Sequence, residues 1–166
     1  DAGIQPWLFH VEPYAGESLS HFLGRFRRSN HLTPGSLGQL AGIGAVVARW
    51  ERFHLNPPPS QQELDTLATV VGVSAERLAE MLPPQGVGMQ WTPIRLCGAC
   101  CGETLYHRME WQYKSVWQCD RHQLKLLSKC PKCEAPFKMP ALWEDGICHR
   151  CHLTFSAMRT YQKSAD

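Results

Sequence analysis

Apolar residues recur at helical spacing through the first half of the chain and at every second position in part of the second half. Leu19, Phe22, Leu23 and Phe26 stand at i, i+3, i+4 and i+7, the stripe of an amphipathic helix that starts near Ser18. Arg25, Arg27 and Arg28 fall beside that stripe. Thr33 and Pro34 supply an N-cap hydroxyl and a first-turn proline, opening a second helix through Leu37, Leu40 and Ala41. Gly42-Ile43-Gly44 turns the chain, and Ala45 to Phe53 reads as a third helix. Ser60-Gln61-Gln62-Glu63 is a capping box heading a fourth helix, which carries Leu64, Leu67, Ala68 and Val71 and ends on Gly72. Ser74 caps a fifth helix, running through Leu78 and Leu82 until Pro83 stops it.

Beyond a Pro/Gly-rich bridge, Pro83 to Gly88, the period changes. Leu105, His107, Met109, Trp111, Tyr113, Ser115 and Trp117 alternate with mostly polar neighbours, which predicts a strand or hairpin leading into Cys119. These rings are read first as packing around a small domain and second as a base-stacking face. The five front helices, with a helix–glycine–helix unit in the middle, resemble a helix-turn-helix domain of the Cro/C1 arrangement. Its recognition turn would be Ala45-Val46-Val47-Ala48, which has no side-chain donor or acceptor for base edges. Val46, Val47 and Trp50 therefore read as core or protein-contact residues.

The composition changes little of this picture until the cysteines are placed. The 166 residues are 43% hydrophobic and 19% charged, ordinary for a folded chain. The longest apolar run, Leu40 to Ala48, is nine residues, against about 20 for a membrane span, so no membrane partner is expected. Pro6-Trp7-Leu8-Phe9 is too short for a signal-peptide core, and the start at Asp1 suggests a trimmed or altered N-terminus. Residues 1–84 hold 6 Lys+Arg and 8 Asp+Glu, and residues 85–166 hold 11 and 7.

All eight cysteines lie between Cys97 and Cys151, seven of them in x-x spaced pairs. The pairs are Cys97/Cys100, Cys119/His122, Cys130/Cys133 and Cys148/Cys151, a spacing that lets one tight turn aim two donors at one ion. Grouped in chain order they give one site of three cysteines and a histidine and one site of four cysteines, hence two zinc ions. A crossed grouping, first pair with third and second with fourth, is the alternative. Chain order is favoured because only seven residues separate His122 from Cys130. Closed tetrahedra of this kind are structural, leaving no open position for Lewis-acid chemistry. Seven thiolates and two dications move the formal charge from +2 to about −1, so the basic balance says little about partners. Cys101 is the odd thiol, a small packed free thiol or else a competitor of Cys100 for the ion, and His107, His149 and His152 are spare imidazoles, exposed or adjacent to the ligands. Arg121, Lys125, Lys129, Lys132 and Lys138 make a basic stretch against Glu134, in which Lys125 and Lys129 share one helix face.

The expected architecture is α with a small β part. A helical, helix-turn-helix-like domain covers residues 1–84 and a linker covers 85–96. One zinc ribbon covers 97–128, and a second ribbon or finger with the C-terminal tail covers 129–166.

Gly16-Glu17-Ser18-Leu19-Ser20-His21-Phe22-Leu23-Gly24-Arg25-Phe26 is similar to the opening G-E-S-L-x-S/H-x-L-x-R signature of TniQ proteins. Arg95-Leu96-Cys97-Gly98-Ala99-Cys100, Trp117-Gln118-Cys119-Asp120-Arg121-His122-Gln123-Leu124 and Leu126-Leu127-Ser128-Lys129-Cys130-Pro131-Lys132-Cys133 continue the likeness in order. Gly98 stands where proline often follows the first cysteine, and Gln123 where glycine often follows the histidine. The short length resembles the small TniQ of type V-K CRISPR-associated transposons.

The resemblance implies a non-enzymatic target-selection adaptor for RNA-guided DNA transposition. Such an adaptor links a single-chain RNA-guided Cas effector, with its guide and tracr RNA on target DNA, to the AAA+ ATPase TnsC. It nucleates or caps a TnsC filament and so recruits the transposase indirectly. The implied setting is the prokaryotic cytoplasm, at the nucleoid when active. No Walker A loop, nucleophile elbow or H-E-x-x-H motif is present, which agrees with a non-enzyme. The alternative is a zinc-stabilised helix-turn-helix transcription regulator. Candidate nucleic-acid or partner contacts are Arg25, Arg27, Arg28, Arg49 and Arg52 in front, with Lys125, Lys129 and Lys132 behind.

Overall fold

Four of the five front helices form where capping side chains place them, and the third starts at Ala45 without one. The computed structural model describes residues 8–166; Asp1 to Trp7, with the Pro6-Trp7 part of the short apolar opening, lie outside the described residues. α1 (Leu19–Ser29) begins where the Ser18 hydroxyl accepts from the His21 amide. α2 (Pro34–Ala41) is capped by Thr33, and α4 (Gln61–Val71) carries the complete Ser60/Glu63 capping box and ends on left-handed Gly72. α3 (Val46–Glu51) is shorter than its apolar pattern suggests, because the chain leaves helical geometry and Phe53 turns left-handed at φ 59°. α5 (Ala75–Ala79) also stops early, Met81 and Leu82 closing it in tighter turns. Phe22, Leu23, Leu37, Val47, Trp50, Leu67 and Leu78 meet in one core.

The second core gathers Leu96, Cys97, Trp111, Ala135, Trp143 and Met158, with Phe53 reaching across from the end of α3. It contains a helix that the sequence pattern does not announce, α6 (Gly98–Glu103). The only ladder longer than a single bridge among the described residues is a two-residue antiparallel pair, β1 (Gln118–Cys119) and β2 (Leu124–Lys125). The strand expected over 105–117 is instead irregular chain around a 3-10 turn, Met109–Gln112. Its backbone groups bond outward rather than to a hairpin partner. Ser18 donates to His107 O (3.0 Å), Met109 to Gly16 O (2.9 Å) and Gln90 to Gln112 O (2.7 Å). Burial does not follow the alternation of apolar positions: Met109 and Trp111 are buried, but so are the out-of-phase Tyr106 and Gln112, while Ser115 and Trp117 are exposed. Lys125 lies on β2, so it shares no helix face with Lys129.

The two cores lock together along α1. A Cβ on Gly24 would come 2.7 Å from the Ala141 Cα, so only glycine lets α1 cross the Pro140–Leu142 turn this closely. Ser20 Oγ donates to Glu51 O (2.6 Å) and accepts from Ala141 N (3.1 Å). Ser18 Oγ meets His107 Nδ1 at 2.9 Å, and the His107 Nε2 faces Gln112 Oε1 at 3.1 Å. His107 is fully buried, correcting its reading as an exposed or ligand-adjacent imidazole. Gln112 Nε2 donates to Gln90 O and Pro93 O, pinning part of residues 85–96 to the second core. No helix among the described residues is long and apolar enough to cross a membrane.

Candidate metal centres

Three of the four ligand pairs are built by the same turn. In Cys119–His122, Cys130–Cys133 and Cys148–Cys151 the residue after the second ligand donates its amide to the carbonyl of the first, at 2.8, 2.8 and 2.9 Å. That closing residue is left-handed each time: Gln123 (φ 53°), Glu134 (φ 64°) and His152 (φ 65°). Glycine fits this position without strain, which gives Gln123 a physical meaning as a departure from the resembled pattern. The fourth pair, Cys97 and Cys100, lies at the head of α6, where Cys101 N bonds Cys97 O at 3.1 Å.

The pairs meet in chain order. Cys97, Cys100, Cys119 and His122 form one cluster, and Cys130, Cys133, Cys148 and Cys151 the other, with all donor atoms of each within 4.8 Å of one another. His122 Nδ1 lies 3.9, 3.4 and 3.5 Å from the sulfurs of Cys97, Cys100 and Cys119. In the second cluster Cys130 and Cys151 are 3.6 Å apart, and Cys133 and Cys148 3.5 Å. A tetrahedron with zinc–sulfur arms of about 2.3 Å has edges of about 3.8 Å, so both donor sets fit zinc and could hold it. When bound, zinc would cross-link each tetrad and hold its sulfurs as thiolates.

The surroundings prepare these donors. Glu103 Oε1 lies 3.1 Å from His122 Nε2 and 3.2 Å from Arg121 Nη2. A carboxylate on the far nitrogen fixes the ring with Nδ1 free to coordinate. Gln162 Oε1 accepts from Gly98 N at 2.8 Å. Gly98 is glycine because the Ser156–Tyr161 turn packs on α6: a Cβ there would lie 2.6 Å from Phe155 O and 2.7 Å from Arg159 N. Burial pushes the Cys148 thiol up, but the amides of Cys151 and Arg150 and the neighbouring thiols outweigh it and bring it down to about 6. Cys101 belongs to neither cluster, and burial pushes its thiol up to about 12.

The candidate contact arginines of α1 are engaged inside the fold. Arg27 holds Glu51 in a bidentate pair (2.5 and 2.7 Å), both side chains buried. Arg25 forks onto the buried Glu17 carboxylate through Nε and Nη2, each at 2.8 Å, and stacks over Tyr14. Glu17 also holds His21 Nδ1. Burial alone would raise the Glu17 carboxyl; Arg25 and His21 hold it below the usual carboxylate range. Arg28 donates to Ala141 O and to Trp143 O (3.2 Å). Arg28 thus crosses the seam, whereas Arg25 and Arg27 are held within the helical half, and none of the three offers a free charged surface. Arg49 and Arg52 reach only carbonyls at 3.4 Å, and Arg52 is exposed. Lys129 pairs with Glu134 at 2.8 Å, whereas Lys132 and Lys125 are exposed.

Glu103 and Gln162 escape a reading by motif. Glu103 follows Cys100 by three residues, a signal only once α6 is known, and Gln162 carries no local signal at all. A family model described as TniQ matches residues 8–126, which spans the seam on α1 and the whole first cluster. No curated protein matches the chain.

Proposed function

This chain belongs to the TniQ family, which is linked to transposition, and we propose that it works as a non-enzymatic target-selection adaptor in RNA-guided DNA transposition. In this reading it joins a single-chain Cas effector with its guide RNA, on target DNA, to the AAA+ regulator TnsC at a filament end. The transposase is recruited through that filament, at the nucleoid of a prokaryotic cell. The observation that carries the reading is the completeness of both tetrads. Each offers four donors to one ion, so the metal has no position left for water or substrate and serves to stiffen a surface. The locked seam adds to this, since a bridge needs its faces held in fixed relation.

The test is reconstitution. The chain, TnsC, nucleotide and DNA are mixed and imaged, and the expected outcome is this chain at filament ends. RNA-guided insertion of undiminished efficiency without the chain would reject the proposal. The regulator reading asks α3 to read bases, yet Val47 and Trp50 of that helix are core. Tight, sequence-selective binding of duplex DNA by the isolated chain would favour it instead.

A further inference from the structure

The C-terminal residues pair with the free edge of the ligand-bearing hairpin through a single antiparallel bridge. Lys125 N donates to Lys163 O at 2.8 Å, Ala165 N donates to Gln123 O at 3.0 Å, and Leu124 faces Ser164 in an antiparallel bridge. On the other side of β2, Gln118 is the partner of Lys125. Directly opposed residues of antiparallel segments project from the same face, so Gln118, Lys125 and Lys163 form one row across the hairpin and the C-terminal segment. Two lysines opposed in this way repel each other, and none of the ion pairs among the described residues includes either of them.

An unburied aromatic stands beside this row. Trp50, Trp111 and Trp143 are core residues and Trp91 stacks on Phe53, whereas Trp117 is 54% exposed. The Lys125 ammonium lies 6.0 Å from the centre of its ring. The face thus offers a flat apolar ring beside two lysines that belong to none of the ion pairs among the described residues. A partner that complements both must repeat a flat π-surface and an anion along its length. Unpaired nucleotides have this chemistry. A duplex does not, because its base faces are already stacked on one another.

We propose that the Trp117–Lys125–Lys163 face binds single-stranded nucleic acid, a base stacking on Trp117 and phosphates pairing with the two lysines. This stands on the face alone and does not depend on which ATPase or effector the chain bridges.

The experiment uses the full zinc-loaded chain and a fluorescein-labelled 15-nucleotide single strand, as DNA and as RNA, followed by anisotropy. Binding of either strand in preference to the matching duplex is expected, and the two arms show which sugar is favoured. Trp117→Ala should weaken single-strand binding about 5- to 100-fold, with Trp117→Phe retaining most of it. Lys125→Glu with Lys163→Glu should remove two phosphate contacts, lowering the log–log salt slope by about 1.4. All three side chains are exposed, and zinc content with circular dichroism checks that each variant folds. Unchanged affinity in Trp117→Ala, equal binding of the duplex, or full competition by polyglutamate would overturn the proposal. Any of these, with the wild-type chain still found at TnsC filament ends, would leave the adaptor reading standing.

Discussion

Gln162 joins two ligand-bearing elements that are far apart in the chain: its side-chain oxygen accepts from the Gly98 amide at 2.8 Å, and its nitrogen donates to Lys125 O at 3.0 Å. Gly98 opens the helix between Cys97 and Cys100, and Lys125 closes the hairpin that holds Cys119 and His122. Gln162→Ala should therefore loosen the first tetrad while leaving the second alone. We expect metal release from one of two sites to quicken about 10- to 100-fold. A chromophoric chelator would read this as a release that splits into a fast and a slow phase. Equal acceleration of both phases would show that Gln162 acts on the fold as a whole.

Glu103 bears on the same site through His122. Glu103→Ala removes the acceptor from His122 Nε2 and lets the ring rotate, so zinc affinity of the first site should fall about 10- to 100-fold. Glu103→Gln keeps a hydrogen-bonding oxygen there and should recover much of the loss. Competition titrations of the three proteins would rank them, and an unaffected Glu103→Ala would remove the orienting role.

Two metal equivalents per chain are expected, and their removal should dissolve the second core before the first. The ligand cysteines Cys97, Cys100, Cys119, Cys130 and Cys148 are buried within the second core, whereas the helical core has none. With EDTA, tryptophan emission should shift to the red as Trp111 and Trp143 become wet, while much of the helical circular dichroism persists. Loss of all helical signal in step with the metal would mean that the helices cannot stand without the seam.

Gly24 should tolerate no side chain. In Gly24→Ala the new methyl meets the backbone of Ala141, which cannot swing aside as a flexible side chain would. About 1–3 kcal/mol of destabilisation is expected, read as a lower midpoint in urea. Gly35→Ala, in a helix of the same half but without a close neighbour, is the control and should change little.

Local chemistry was legible in the sequence and long-range closure was not. Every helix cap named from Ser18, Thr33, Ser60 and Ser74 is present, because a cap is decided within three residues. The ligand pairs were legible for the same reason, whereas their grouping in chain order is decided by the fold, since the shortest span, His122 to Cys130, separates the two clusters. Arg27 is a counterexample. Its position beside an apolar stripe suggests a solvated charge, and only the fold brings Glu51 against it. The alternation over 105–117 misled in a related way: contacts from distant segments, not a strand pleat, decide burial there, so Tyr106 and Gln112 are buried out of phase while Trp117 is exposed. The signature from Gly16 to Phe26 gains its physical sense only in three dimensions. Gly16, Ser18, Ser20 and Gly24 are the points where α1 and the turn before it touch the cysteine-bearing half.

His107 makes the seam sensitive to acid. It is fully buried between Ser18 and Gln112, and burial lowers its ring to about 3 from an ordinary 6.5, a desolvation that the Gln112 hydrogen bond only partly offsets. The folded ring thus stays neutral where the unfolded one takes a proton. Between about pH 6.5 and pH 3 the unfolded chain binds more protons, so stability rises with pH in that window and falls as the solution is acidified. For this one group the loss from pH 7 to pH 5 is about 2 kcal/mol. His21 is also buried; desolvation lowers it despite the Glu17 carboxylate, and it contributes in the same direction. Protonation of the metal ligands adds a further acid loss, so the comparison must cancel it. Urea unfolding of the wild type and of His107→Gln, both zinc-saturated, at pH 7, 6 and 5 does so. The variant will be less stable at pH 7 but should lose less on acidification, its slope being shallower by close to one proton. Parallel slopes for the two proteins would mean that His107 is already protonated in the fold, or reached by water, and that the seam is not dry.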